Sequence, residues 1–526
     1  MNIDSLSKSG PSNRQHIEMS DSKLEQVQTG RTDDDRLAQL GHVQELRRDF
    51  SIWSLGSLCL CLMATWEALS TVIATALMTG GAPCLFFNFL ISIICTIAIA
   101  VSLGEIASIY PTAGGQYHWV AALSPPSSRS VASWFSGWIN VGGQIVLTAS
   151  AAFAAGLQTQ ALIILNDATY TPQRWQGLLL FWAVLIYAAA LNIWGSRLLP
   201  TANLLSGVLH IAGFLTILIV LAVLAPKNTP SFVFTQVTNS SGWSNPGISW
   251  LVGLLSAVYP LLGYDAACHL AEEMPNASRN VPLAMVGSVV VNGILGLGYC
   301  IMLLFSTGPL DTLLSTPTGF PFMQIFLDAT KSAAGATVMS IIIIMIAIAA
   351  TAAGITSTSR TFWAFARDRA TPFDTYFSYV NPGSQIPVRA VVLVTALQML
   401  LGFIYLGNST AFNAVLSMAI LGLYTSYLIP IVYFMVFGRP KMQTYEFGPF
   451  RMPKMVGLGL NLVACAWLVL AIVFSTFPTI MPVTQQNMNY STVVMVGWVV
   501  LGGVYYFVRG RKKFEVPVVS RDPHGF

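Results

Sequence analysis

The chain has 526 residues, of which 54% are hydrophobic and only 9% charged, and its formal net charge is +4. Ordinary soluble domains carry about 25% charged residues, so this chain has too little polar surface to stay dissolved, and lipid is its expected solvent. The basic residues sit in short loops beside apolar runs, which leaves no basic face for nucleic acid.

Residues 1–49 are mostly polar, include Asp33-Asp34-Asp35, and lack the basic start, short apolar core and cleavage site of a signal peptide. They are expected to form a disordered cytoplasmic tail. Residues 50–510 are expected to form a twelve-helix membrane domain, and 511–526 a short cytoplasmic C-terminal tail. A bilayer core about 30 Å thick needs roughly 20 apolar residues per helix. Runs of that kind cover 51–78, 84–108, 132–156, 175–194, 201–224, 248–270, 283–307, 335–362, 388–406, 411–437, 455–477 and 491–509.

Twelve crossings put both termini on one side. Arg47, Arg48, Arg197, Arg279, Arg389, Lys441, Lys454, Arg511, Lys512 and Lys513 lie on that side, and little beyond Arg174, Lys227 and Lys331 lies on the other. The positive-inside rule therefore places the termini in the cytoplasm. The sequons at Asn239, Asn408 and Asn489 fall in expected outer loops and are candidate glycosylation sites, whereas the one at Asn276 falls inside. All seven cysteines lie in or beside apolar runs, with no disulfide or zinc spacing.

A carboxylate in mid-membrane costs about 2.5–3.5 kcal/mol on insertion scales, so each one needs a reason. The first helix carries Thr65-Trp66-Glu67-Ala68 and the sixth Gly263-Tyr264-Asp265-Ala266 after Tyr259-Pro260; both read aromatic, acid, alanine. Proline and glycine close together loosen the sixth helix and describe a discontinuous segment, whereas the first lacks helix-breaking glycines. In carriers built from inverted repeats of five helices, the first and sixth helices are equivalents and their half-helix ends line a midplane site. Thr65, Trp66, Glu67, Ala68, Tyr259, Leu262, Gly263, Tyr264 and Asp265 are thus candidate substrate-binding residues. Asn140 and Gln144, one turn apart in the third helix, reach either the same cavity or a neighbouring helix as hydrogen-bonding glue. Glu67, Asp265 and His269 are candidates for proton coupling, with a packed neutral histidine as the alternative for His269. Arg360, Arg367, Asp368 and Arg369 end the eighth helix as membrane anchors or as part of an inner gate.

Four blocks carry a resemblance. Ser102-Leu103-Gly104-Glu105-Ile106-Ala107-Ser108 followed by Tyr110-Pro111-Thr112-Ala113-Gly114-Gly115-Gln116-Tyr117 resembles the second-helix motif of fungal amino-acid and choline permeases. The block from Gly263 through Glu272-Glu273 to Asn280-Val281-Pro282 resembles the sixth-helix motif of the same branch. Phe362 to Asp368 and Pro482-Val483-Thr484 with Asn487 to Tyr490 continue it in order. The resemblance implies the amino acid-polyamine-organocation superfamily: an all-α membrane protein of twelve transmembrane helices, a 5+5 inverted repeat (the LeuT-like fold) plus two C-terminal helices. One departure is that Ala64-Thr65-Trp66-Glu67-Ala68 stands where the superfamily usually has a glycine-rich break.

The expected function is a secondary active plasma-membrane permease, proton-coupled, importing an amino acid or related amine such as γ-aminobutyrate by alternating access. A choline or other quaternary ammonium transporter, a polyamine transporter and a non-transporting nutrient receptor of the same fold are the alternatives. No nucleophile-base or metal constellation points to an enzyme, and no cofactor is expected. The expected partners are the small amine, protons and the bilayer.

Overall fold

A computed structural model describes residues 33–407, 409–443 and 446–517, the side chains of 409–416 excepted. Among the described residues the only β feature is an isolated bridge between Asn381 and Ile386; the rest is helix and loop. Eleven helical runs are long and apolar enough to cross a membrane. The first of them, Ile52–Ile109, has 58 residues and would extend about 87 Å as one rod, far beyond a bilayer core. It turns back at Gly81, whose φ of 75° and ψ of −166° are not helical, with Pro83 two residues on. A Cβ at Gly81 would stand 2.7 Å from Thr238 Oγ1, so both its dihedral and its close neighbour favour glycine. With this run divided at Gly81, the described residues supply twelve candidate crossings.

The expected spans recur with longer ends, notably Arg129–Asn166 for the third. The fourth and ninth runs are Arg174–Ile193 and Val388–Gly407. Short helices that do not cross, such as Gln116–Leu123 and Pro321–Thr330, fill the connections. Large apolar side chains such as Ile186, Leu205, Ile219 and Val500 are exposed on the outside of the bundle, where only lipid can cover them.

The first crossing is broken. It runs Ile52–Met63, passes through Ala64 in the left-handed region (φ 42°, ψ 48°), and resumes at Thr65. Leu60 O, in the last turn of the first piece, accepts from Ala64 N at 3.0 Å and also from Asn292 Nδ2 at 3.2 Å, which ties the end of this piece to the seventh crossing. The sixth is broken more widely. A helix at Pro246–Val252 gives way to a short turn at Leu255–Val258 and a 3-10 turn at Tyr259–Leu261; Leu262 is extended, Gly263 has φ 105°, and helix returns at Ala266–His269. Thr65 Oγ1 donates to Pro260 O at 2.7 Å, so the two breaks are stitched to each other.

Both described ends of the chain rest on one end of the bundle, where Leu46 and Phe514 are buried in one cluster with Ala113 and Phe365. This corrects part of the expected disorder of residues 1–49. Residues 33–39 are helical, Leu37, Leu40 and Leu46 are buried, and Arg36 Nη2 donates to Ser108 O at 3.0 Å. Residues 1–32 lie outside the described residues.

Candidate substrate cavity and the two helix breaks

A cavity lies where the two breaks meet. Its wall comprises Leu62, Met63, Ala64, Glu67, Ala68 and Thr71 from the first crossing, Tyr259 and Leu262 from the sixth, and small or apolar residues of the third and eighth, Leu147, Ala151, Ala347 and Ala350 among them. From the breaks it extends past Thr71, Ala154 and Gln158, toward the end of the bundle opposite the described termini. Alanines on the third and eighth crossings leave the room that larger side chains would fill.

Glu67 is the only carboxylate in this wall, which has no lysine, arginine or histidine, and it is buried. Its Oε1 lies 2.7 Å from His210 Nδ1, on the fifth crossing, and the imidazole is fully buried as well. Glu67 Oε2 and His210 Nε2 have no hydrogen-bond partner among the described residues. The sequence reading missed His210. Its signal was there: an imidazole in mid-span, and a mid-membrane carboxylate that needs a nearby donor.

The other sequence candidates divide. Ala68, Tyr259 and Leu262 reach the cavity, with the Tyr259 hydroxyl 2.8 Å from Ser150 Oγ. Trp66 does not: its ring packs 5.3 Å from Tyr299, 5.8 Å from His210 and 6.3 Å from Phe214, against the fifth and seventh crossings. Tyr264 is fully buried and packs 5.6 Å from the ring of Tyr427. Neither offers its face to the cavity. Gly263 holds the bend, where a Cβ would stand 3.0 Å from Leu62 Cγ.

Asp265 also lies away from the cavity, inside a polar cluster nearer the end that holds the termini. Its Oδ1 accepts from the Tyr427 hydroxyl at 2.6 Å, and its Oδ2 from Gln116 Nε2 at 3.0 Å and Gln144 Nε2 at 2.8 Å. Asn140 Nδ2 donates to Gln116 Oε1 at 3.0 Å. His269 Nδ1 lies 3.0 Å from Ala113 O, which can only accept, so Nδ1 carries a proton; Nε2 lies 3.4 Å from Asn140 Nδ2 and 3.5 Å from Asp265 Oδ2. Asn140, Gln144, Asp265 and His269 thus tie the third, sixth and tenth crossings and the Gln116–Leu123 helix together.

Between this cluster and the end that holds the described termini lie buried ion pairs. Arg367 makes two bonds to Glu272, at 2.9 and 3.0 Å, and Arg360 Nε donates to Glu273 Oε1 at 2.7 Å. Asp368 Oδ2 accepts from the Tyr117 hydroxyl at 2.9 Å. The described N-terminal segment lies over the same place: Gln44 Nε2 donates to Glu272 O at 2.7 Å, and Asp33 Oδ2 accepts from Asn276 N at 2.8 Å. Glu105 of the second-helix motif is a separate pillar, accepting from Arg439 and, at 2.7 Å, from Met452 N.

Twelve crossings with the first and sixth broken face to face, around a small cavity, define a carrier of small solutes. Residues 50–500 match the family described as amino acid permease, and the chain belongs to that family. It is 32% identical to a choline transporter of Saccharomyces cerevisiae over 89% of this chain and 83% of that protein. It is 30% identical to amino-acid permease BAT1 of Arabidopsis thaliana (92% of this chain, 96% of the relative) and 30% identical to amino-acid permease 2 of Neurospora crassa (92% and 89%). The chain is a multi-pass membrane transporter of amino acids or related amines.

Proposed function

We propose that the chain imports a small amine or amino acid across the plasma membrane by alternating access, driven by protons, with both termini in the cytoplasm. The observation that carries this reading is the cavity between the two breaks with the single buried acid, Glu67, in its wall. An ammonium group has an acceptor there, in a low-dielectric setting where a charge-assisted bond is strong. The buried carboxylate–imidazole pair of Glu67 and His210 can hold a proton on either member, which supports coupling at this site. The ion pairs and the N-terminal segment at the opposite end support a state closed toward the cytoplasm. The basic residues clustered at the ends of the chain and in its short loops support the orientation.

Uptake of labelled amino acids, γ-aminobutyrate, choline, monoamines and polyamines by cells lacking their own permeases tests the reading. At least one substrate accumulates in a way that a protonophore abolishes. Absence of uptake across the whole panel, at verified surface expression, rejects it.

A further inference from the structure

A second cavity, of about 290 Å³ against about 50 Å³ at the breaks, lies at the end of the bundle that holds the described termini. It forms where the third crossing begins and the tenth ends: Ser124, Pro125, Pro126 and Arg129 make one side, Phe437 and Lys441 the other. The two sides touch next to it, since a Cβ at Gly438 would stand 2.9 Å from Leu123 Cδ2. Ser130 Oγ lies 2.9 Å from the hydroxyl of Tyr506, which is buried in one cluster with Phe514, and this places the cavity at the terminal end. Val131 and Val436, on the same two crossings, are 43% and 50% exposed, on the surface that lipid covers. The cavity thus lies between that apolar surface and the polar end of the bundle.

Its wall is cationic. It carries Arg129 and Lys441 and no aspartate or glutamate, and among the described residues neither cation lies within ion-pair distance of a carboxylate. Arg129 Nη2 donates to Ser124 O at 3.5 Å while its buried Nε has no partner, and the Lys441 ammonium stands 5.8 Å from the centre of the Phe437 ring. Ser124 is 2% exposed, and its hydroxyl is also without a partner among the described residues. Both unmade groups are donors, and a buried donor left unmade is costly, so the wall calls for an acceptor. The third crossing adds its positive end: no side chain caps Arg129–Asn166, and Ser130 N and Val131 N bond no acceptor among the described residues. An anion whose other part is apolar satisfies the cations and the lipid-covered flank together. We propose that this cavity binds the phosphate of an anionic phospholipid of the adjoining leaflet, held by Arg129, Lys441 and the Ser124 hydroxyl, with its acyl chains along Val131 and Val436. The bound lipid ties the start of the third crossing, which further on lines the cavity at the breaks, to the end of the tenth. The site is separate from that cavity and does not depend on what the protein carries.

The test titrates the full chain, in a neutral detergent, with phosphatidylglycerol, phosphatidylcholine, glycerol 3-phosphate and inorganic phosphate, and reads retained lipid by native mass spectrometry beside the melting temperature. One phosphatidylglycerol is expected to be held about tenfold more tightly than phosphatidylcholine, whose own cation meets the basic wall. A basic residue at an anionic headgroup is worth roughly fivefold in affinity, so Lys441→Gln loses about that much and Arg129→Gln with Lys441→Gln about tenfold or more. Lys454→Gln, exposed at the same end and outside the wall, leaves retention unchanged. Lys441 is exposed, so its replacement keeps the fold; where Arg129→Gln fails to fold, Lys441→Glu decides, with a larger loss than Lys441→Gln. Equal retention of phosphatidylcholine, undiminished retention of phosphatidylglycerol in Lys441→Glu, or an equal loss in Lys454→Gln overturns the site. Stabilisation by inorganic phosphate or glycerol 3-phosphate as strong as that by phosphatidylglycerol overturns the lipid and assigns a soluble phosphate in its place.

Discussion

At the scale of single residues, the two membrane acids do different things. Asp265 meets three donors from three other elements, and each bond to a charged acceptor contributes about 1.5–3 kcal/mol. Asp265→Asn keeps one acceptor oxygen but turns an amide N–H₂ toward the Tyr427 hydroxyl or a glutamine amide, which must rotate to accept it, so we expect a lower melting temperature in detergent before any change in substrate preference. A variant of parental stability with altered selectivity would place Asp265 in the binding site instead. Asp368, just past the eighth crossing, has its carboxyl pushed up from 3.8 to about 7 by burial, with Arg367 pulling it back down. The unfolded chain releases that proton near 3.8, so the folded form binds more protons between about pH 4 and 7. The group's contribution to stability is therefore full below about pH 4, declines as pH rises, and is gone above about 7. Asp368→Asn, which stays neutral and can still accept from Tyr117, should gain on the parent in melting temperature between about pH 5 and pH 8. A constant offset across that range would contradict the burial of an ionisable carboxyl.

At the scale of elements, the breaks decide which residues face the cavity, and this is where sequence reading ran out. Glu67 was legible because a charge in an apolar run demands a reason. The orientation of Trp66 and Tyr264 was not, because a left-handed residue at Ala64 and a φ of 105° at Gly263 each reset the helical phase, and neither angle follows from neighbouring residue types. The break at Ala64 has no glycine to announce it; it is held from outside by Asn292 and by the bond from Thr65 to Pro260. Asn140 and Gln144 lie one turn apart, and both readings open to them, cavity or glue, fitted the same sequence. The closure beneath them is an element-scale device as well. Removing one partner of a buried ion pair costs about 3–5 kcal/mol because the other is left uncompensated. Arg367→Gln leaves the Glu272 carboxylate with the Ala113 N–H at 3.0 Å but no cation, and this end should open more often. In inside-out vesicles, with Cys268 as the only cysteine, we expect thiol labelling to rise several-fold over the parent. Cys268 sits beside Gln116 and Gly115, so unchanged labelling would mean the ion pairs do not hold this end shut.

At the scale of the whole molecule, twelve crossings were readable from apolar length alone, because lipid forces every span to declare itself; the short connecting helices were not, since they obey no such length rule. The proposed topology makes a prediction at the sequons. Asn239 is exposed and its Nδ2 donates once, to Trp243 O at 2.9 Å, so one hydrogen is free for a glycan. Asn489 Nδ2 donates twice, to Ser475 O at 2.7 Å and Phe477 O at 3.1 Å, closing the end of the eleventh crossing. Asn408 lies outside the described residues. Glycosidase-sensitive mass should disappear with Asn239→Gln and persist with Asn489→Gln; a glycan at Asn276 would invert the proposed orientation. The cavity itself is tested most directly by Thr71→Cys, since Thr71 lies on its wall toward the outer end and is partly exposed. A membrane-impermeant thiol reagent added outside intact cells should label this cysteine, and any amine the protein carries should slow the labelling. Labelling that no carried amine slows, or that occurs only from the cytoplasmic side, would contradict an outward-facing substrate cavity at the two helix breaks.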